Sequence, residues 1–184
     1  MLSKKYTRDL ILKAAYELSK EIGLEALSMR KIANKVGCSV MPLYESFSSK
    51  KELIDSLSTF NEKLYDVFSC TMYDRYFRLL KEGLEYPTFF LSVVKYDANR
   101  QYCENDHHEE ETISNLCALM KKDDRLKDLT DVQVYRVNAR IELFIIGTVY
   151  TYSLLNTTEN NYPRLKEVLV ETAEAIIDGY VKNV

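Results

Sequence analysis

The run from Ser28 to Leu53, SMRKIANKVGCSVMPLYESFSSKKEL, sets two short helical patterns either side of a turn so tight that few crossings of the helices remain open to them. Ser28 is a good N-cap, because its hydroxyl can accept one of the N–H groups that a first helical turn leaves without a partner. Ile32, Ala33 and Val36 then fall at the three- and four-residue spacing of a buried stripe, and Arg30, Lys31, Asn34 and Lys35 take the solvent-facing directions. Gly37 stops the helix, since a glycine just past a helix end can turn left-handed and close the last carbonyls. Only Gly37 and Cys38 precede a new cap expected at Ser39. The second helix reads Val40-Met41-Pro42-Leu43-Tyr44, with Pro42 expected at its third position, where a missing N–H costs little, and with Ser39 capping through the N–H of Met41. A further helix is expected from Ser49, where Ser49-Lys50-Lys51-Glu52 matches a capping box. The two helices and their turn have a size that fits a DNA major groove.

Charge is split along the chain. Residues 1–53 hold 10 Lys/Arg and 6 Asp/Glu, net +4, against 15 and 22 in the remainder, net −7. A chain acidic overall does not bind polyanions indiscriminately, so attraction to phosphate has to come from a local basic patch. The cysteines at 38, 70, 103 and 117 show no C-x-x-C spacing, and Lys4 and Lys5 are followed by no apolar stretch that could serve as a signal sequence. An intracellular, cytoplasmic chain with reduced thiols is expected. The longest uncharged run, Leu143 to Thr158, falls short of the roughly 20 apolar residues that span a bilayer and reads as a core helix, with no membrane partner.

Glycine and proline are scarce and apolar residues recur mostly at helical spacing, which predicts an all-α chain without strands or repeats. A first helix should run from a cap at Thr7 to Gly23 with Leu10, Ile11, Ala14, Ala15 and Leu18 inward, and the one opening at Ser49 should continue toward Ser69. Tyr86-Pro87 marks a break, Pro87 suits the first turn of a helix through Phe89, Phe90, Val93 and Val94, and the polar stretch Asn99 to Glu111 reads as a loop. A short helix around Ile113 to Lys121 and a long one from about Asp131 to Asn156 follow, and Pro163 opens the last.

The pattern Ile11-Leu12 with Ala14-Ala15, Gly23, Ser28-Met29-Arg30-Lys31-Ile32-Ala33, Gly37, Leu43-Tyr44, Phe47 and Lys50 resembles the DNA-binding domain of TetR-family transcriptional regulators. It covers the first quarter to third of the chain and requires several separated positions to agree at once, unlike a lone short motif. The remainder carries no family signature of its own. The resemblance implies an N-terminal three-helix helix-turn-helix domain, residues 1–48, and a C-terminal helical ligand-binding and dimerisation domain, residues 49–184. It also implies a homodimeric repressor on a double-stranded, palindromic operator, released by a small-molecule effector.

Carried over position by position, the resemblance gives Arg30 a guanine edge or a phosphate to reach, and sets Val40, Met41 and Pro42 facing the bases. Those three are apolar, suited to thymine methyls, so an operator rich in A·T pairs is expected there. Tyr44 matches a tyrosine whose hydroxyl meets phosphate, and Lys50 a lysine that clamps the backbone at a helix N-terminus. Ser28, Ser39 and Ser46 complete the candidate DNA-contacting set. Ser46 stands where the family often has an aromatic or histidine donor, and Glu45 sets a negative charge close to the expected phosphate path; both should weaken binding modestly.

For the body, the resemblance implies a ligand pocket and a dimer interface built from the last two helices. Candidate pocket residues are Tyr65, Tyr73, Tyr76, Phe90, Tyr96, Met120, Tyr135 and Tyr152. Were their hydroxyls to converge with Glu62 or Glu142, the pocket would suit a cationic aromatic or lipophilic ligand. Candidate interface residues are Phe144, Ile145, Val149, Leu165, Val168, Leu169, Thr172, Ile176 and Tyr180. Cys103, His107 and His108 are weak candidates for a metal, although a solvated acidic loop accounts for them better, and no metal or other cofactor is expected. No nucleophile elbow or phosphate-cradling glycine loop is present, so an enzyme is not expected. Three readings stay open beside the regulator: a DNA-bound protein answering to a protein partner, a metal-responsive regulator, and an interaction protein that no longer binds DNA.

Overall fold

The computed structural model describes the backbone of residues 6–64, 71–101, 108–155 and 161–182, and the side chains of these except 58–64, 99–101 and 108–112. Among the described residues the chain forms nine α-helices and no strand: α1 (Arg8–Ile22), α2 (Met29–Val36), α3 (Met41–Ser46), α4 (Lys50–Leu64), α5 (Met72–Glu85), α6 (Pro87–Gln101), α7 (His108–Met120), α8 (Asp131–Leu155) and α9 (Tyr162–Val181). The all-α expectation holds. Two elements extend beyond the sequence reading, because α6 reaches Gln101 and α7 begins at His108, both within the polar stretch read as loop. None of the described helices is long and apolar enough to cross a membrane.

The helices group into two compact units, α1 to α4 with α6, and α5 with α7, α8 and α9. Packing therefore divides the chain differently from the expected boundary between residues 48 and 49, since α4 and α6 join the head. In the head, α1 packs against α2, α3 and α4. Ile11, Leu12, Ala15 and Tyr16 of α1 meet Ile32 and Ala33 of α2, Leu43 and Phe47 around α3, Leu53, Ile54 and Leu57 of α4, and Phe89 of α6 in one buried cluster. Leu10, expected inward, is exposed, one position off the buried stripe. Thr7 caps α1 as expected, accepting the N–H of Leu10 at 3.2 Å.

Gly23 ends α1 at φ 76° and ψ 163°, backbone angles open essentially to glycine. A methyl group there would also lie 3.3 Å from Cγ2 of Thr88 on α6. That close approach lets Ser92 Oγ accept the N–H of Leu24 at 3.0 Å, a donor the helix end would otherwise leave open.

In the other unit α8 is the central element, packed against α5, α7 and α9. Its Val134, Val137, Ile141, Ile145 and Val149 are buried with Met72, Tyr76 and Leu80 of α5 and Leu169, Ala173 and Ile177 of α9. Two buried polar side chains meet here: Tyr76 donates to Asn138 Oδ1 at 3.0 Å, and the partly exposed Arg75 reaches the same oxygen at 3.4 Å and Glu142 at 2.6 Å. Arg125 ties its loop to α9, donating to Glu174 at 2.6 Å and Asp178 at 3.0 Å while bonded to Asp123. The hydrogen bonds from Arg125, and next that from Tyr73, hold the Glu174 carboxyl below the usual carboxylate range.

A carboxylate whose folded pKa is depressed stabilises the fold above its unfolded pKa, and that contribution is lost as pH falls through the folded value. The urea midpoint is expected to fall between about pH 6 and about pH 3, and Arg125→Gln to shrink the fall. Gly23→Ala is expected to cost more than Gly37→Ala, which sits in open space and costs about 1 kcal/mol for its left-handed angles alone; thermal unfolding of the two variants checks the order.

Candidate nucleic-acid interface

The helix-turn-helix is built by local rules with two departures. Ser28, extended at φ −147° and ψ 153°, accepts the N–H of Lys31 at 3.2 Å and opens α2. Met29, Ile32 and Ala33 of α2 are buried and Arg30 is exposed. Gly37 closes α2 left-handed at φ 78° and ψ 38°, its N–H reaching Asn34 O at 3.2 Å while Cys38 N–H reaches Ala33 O at 3.0 Å. This is the Schellman pairing, which satisfies two final carbonyls at once.

The first departure is at α3. Its N-cap is Val40, at φ −72° and ψ −17°, with no side-chain cap bond, so Ser39 does not cap it and Pro42 is the second helical residue rather than the third. Val40 already has helical angles, and its carbonyl accepts the N–H groups of Leu43 and Tyr44, both at 3.2 Å. The second is at α4. Ser49 accepts the N–H of Glu52 at 3.1 Å, but Glu52 Oε2 reaches back to the N–H and hydroxyl of Ser48, each at 2.7 Å, rather than to Ser49.

The result is a two-faced α3. Leu43 and the adjoining Phe47 are buried, while Val40 is 38%, Met41 67% and Tyr44 56% exposed, with Pro42 half-buried. Large apolar side chains grouped on the outside of one short helix are characteristic of contact surfaces. Ser39 and Glu45 are exposed and Ser46 is half-buried, its carbonyl accepting from Arg8. Among the described residues the Arg30 guanidinium and the Tyr44 hydroxyl take no hydrogen bond or ion pair. Lys31 and Lys35 are tied back to Ala26 O and Glu21, and Lys50 Nζ donates to Glu25 O at 3.2 Å. Lys50 also lines a cavity of about 130 Å³ with Leu24, Ile54, Ser92 and Tyr96, all within the head.

The body candidates do not assemble as expected. Tyr76 and Met120 are buried together, with the Tyr76 hydroxyl 3.7 Å from the Met120 sulfur. Tyr73 donates instead to Glu174, its pKa pushed up to about 12 by burial first and that carboxylate second. Phe90 and Tyr96 belong to α6 in the head, and Tyr96 donates to Asp55 at 2.8 Å. Tyr135 and Tyr152 are partly buried on α8. Tyr65 and the side chain of Glu62 lie outside the described residues, and Glu142 is already paired with Arg75. The convergence of hydroxyls on a free carboxylate is thus not found among the described residues, because each of Tyr73, Tyr76 and Tyr96 is spent on a partner of its own.

Of the interface candidates, Ile145, Val149 and Leu169 are at most 1% exposed within the chain itself and so pack in its own core. Phe144, Leu165, Thr172, Ile176 and Tyr180 are partly buried, Tyr180 beneath the Arg140 guanidinium at 5.2 Å, and Val168 is exposed. The sequence marks α8 as apolar over more than one face, Tyr150 included, but does not single out Leu143 and Leu154, which with Tyr150 form a bare apolar side about 200° from the buried stripe two positions on. Sequence reasoning also missed Arg8, which meets residues 38 to 48 positions away with no local signal. Cys103 and His107 lie outside the described residues, as does the side chain of His108. The described His, Cys, Asp and Glu form no cluster of three that could hold a metal.

Comparison with known proteins centres on the same head. Residues 11–57 match the family described as bacterial regulatory proteins, tetR family. Tetracycline repressor protein class C from Escherichia coli is 33% identical over 54 residues, 29% of this chain and 25% of that protein, so the match spans about a quarter of the relative's length. The crystal structure of a TetR transcription regulator from Haloarcula marismortui aligns over 94% of this chain and 96% of its own, with TM-score 0.52 and 22% identity, a likeness of fold. Ser28→Ala is expected to cost about 1 kcal/mol through the lost cap, whereas Ser39→Ala should stay within about 0.5 kcal/mol; chemical denaturation distinguishes them.

Proposed function

We propose that this chain, whose head belongs to the tetR family of bacterial regulatory proteins, is a DNA-binding transcriptional regulator and not an enzyme. The observation that carries the reading is the outward side of α3, where Val40, Met41 and Tyr44 stand bare, with Arg30 exposed on α2 and holding no hydrogen bond or ion pair among the described residues. On this reading Val40, Met41 and Pro42 lie over thymine methyls of an A·T-rich stretch, and Arg30 reaches a guanine edge or a phosphate. Tyr44 and Lys50 hold the backbone on either side, and Ser28, Ser39 and Ser46 sit at the margin. Lys50 exchanges its bond to Glu25 O for a phosphate on binding. The DNA contacts then reside in residues 1–48 together with Lys50 at the start of α4, and the rest of residues 49–184 carries regulation and dimerisation.

A palindromic operator calls for a second copy of the chain. Leu143, Gly147, Tyr150 and Leu154 recur at four- and three-residue spacing down the exposed side of α8, and Val168, Ala175 and Gly179 are exposed on α9. Small residues at Gly147, Ala175 and Gly179 permit close helix approach, so this side supports the homodimer better than the buried residues first singled out. The group of buried Asn138 and Tyr76 with partly buried Arg75 and Glu142 supports an effector site in the body, where a small molecule could exchange hydrogen bonds with it. Release of DNA would require the effector to favour one arrangement of the dimer over another.

Binding of the purified protein to DNA upstream of its own gene, titrated with salt against scrambled DNA, tests the reading. Sequence-dependent binding that weakens steeply with salt is expected, and Lys50→Ala should lower the slope of log K against log salt by about 0.9. Indifference to sequence across a genomic fragment library would sink it. Leu143→Glu with Tyr150→Glu should yield a folded monomer by analytical ultracentrifugation, with affinity for half-sites only.

A further inference from the structure

We propose that Arg8 is a positioning residue for DNA recognition, fixing where α3 ends and α4 begins without touching nucleic acid itself; the proposal rests on the DNA-binding reading above. Arg8 opens α1, and its guanidinium meets three segments at once. Nη1 donates to the carbonyl of Ser46 at 2.5 Å and to Glu52 Oε1 at 3.1 Å, and Nη2 donates to Ser56 Oγ at 2.7 Å. The plane lies 4.0 Å from the centre of the Phe47 ring, which is buried.

Each partner occupies a place that matters for the contact surface. Ser46 is the last residue of α3, so its carbonyl is one that no further helical N–H satisfies, and a cation suits that end of the helix. Glu52 uses one oxygen for Arg8 and the other for the N–H and hydroxyl of Ser48, so a single carboxylate joins α1 to the turn between α3 and α4. The bonds from Ser48 first, and from Arg8 after them, hold the Glu52 carboxyl below the usual range, so it is charged whenever the protein meets DNA. Tyr44 lies two residues before Ser46 and Lys50 two before Glu52. Ser46, Phe47 and Ser48, which the latch holds, lie between the two backbone-holding side chains, so the latch sets their separation.

The same geometry separates Arg8 from a phosphate contact. Both of its terminal nitrogens are engaged, and the Glu52 carboxylate beside it cancels its field at the surface. A lysine could supply the charge but not the planar fork that serves a carbonyl, a carboxylate and a hydroxyl together while lying on a ring.

The experiment compares wild type with Arg8→Ala, Arg8→Lys and the isosteric Glu52→Gln in the full chain. It measures amide hydrogen exchange without DNA, then affinity per active molecule for operator and for scrambled DNA across salt concentrations. Faster exchange at residues 46–50 with α2 unaffected is expected in Arg8→Ala and Glu52→Gln. Operator affinity should fall roughly tenfold, with scrambled-DNA affinity and the salt slope unchanged, and Arg8→Lys should recover only part of the loss. A slope reduced by about one together with weaker scrambled-DNA binding would make Arg8 a phosphate contact and overturn the proposal. Unchanged operator affinity per active molecule with a lowered melting temperature would overturn it in favour of a plain structural brace. Unaltered exchange at 46–50 would remove the latch itself. A wild type indifferent to DNA sequence would instead overturn the regulator reading, while the exchange arm still decides whether the latch exists.

Discussion

Gly37 turns the chain through a left-handed conformation with its own N–H and that of Cys38 returned to the end of α2, and the placement of everything that faces outward in the head follows from that closure. With only three residues between Gly37 and Met41, α3 has no slack. Leu43 and Phe47 must then enter the cluster already formed by Ile11, Ala15, Ile32 and Ala33, and once they do, Val40, Met41 and Tyr44 have no direction left but solvent. The exposed surface is a by-product of burying the other side. Its apolar character is a choice of residues, not a requirement of packing, which is why it carries functional weight.

What could be read from sequence was what short-range rules govern. Thr7, Ser28, Gly23 and Gly37 act over three or four residues, the first two opening and the glycines closing α1 and α2 as expected. The start of α3 and the partner of Glu52 were misread by one residue each, because Ser39 or Val40, and Ser48 or Ser49, offer nearly equivalent local chemistry and tertiary packing selects between them. Arg8 left no trace, since its partners lie in other helices. On α8 the failure was of phase: a helix apolar on several sides has no sequence signal for which side its own chain covers, and Ile145 and Leu143 look alike until α5 and α9 are placed. The partners of the candidate tyrosines were illegible for a related reason, as abundance says nothing about which hydroxyl already has a carboxylate or amide beside it.

Chain connectivity gives α6 a particular position. It packs with the head, against Gly23, Leu24 and Tyr16, while the helices before and after it in sequence belong to the other unit. The chain thus enters and leaves the head's last element from the body, and Pro87 at its first turn fixes the entry by locking one backbone angle. The chain passes between the two units three times, from α4 to α5, from α5 to α6 and from α6 to α7.

The chemistry of the reading surface bears on how discrimination and affinity divide. Apart from Arg30 and the Tyr44 hydroxyl, the exposed side of α3 and its approach offers few unengaged donors, and apolar contact with a thymine methyl is weaker and less directional than a bidentate hydrogen bond. On the proposed reading, affinity is carried mainly by phosphate contacts from a head of net positive charge, and selectivity by methyl contacts, groove shape and the spacing of two half-sites. Spacing discriminates only if each head is rigid, for a recognition helix free to shift by an ångström or two would tolerate neighbouring registers. An apolar reader therefore places a stricter demand on the turn at Gly37 and on the residues behind α3 than a hydrogen-bonding reader would, and it is behind α3 that Arg8, Phe47 and Glu52 are found joined.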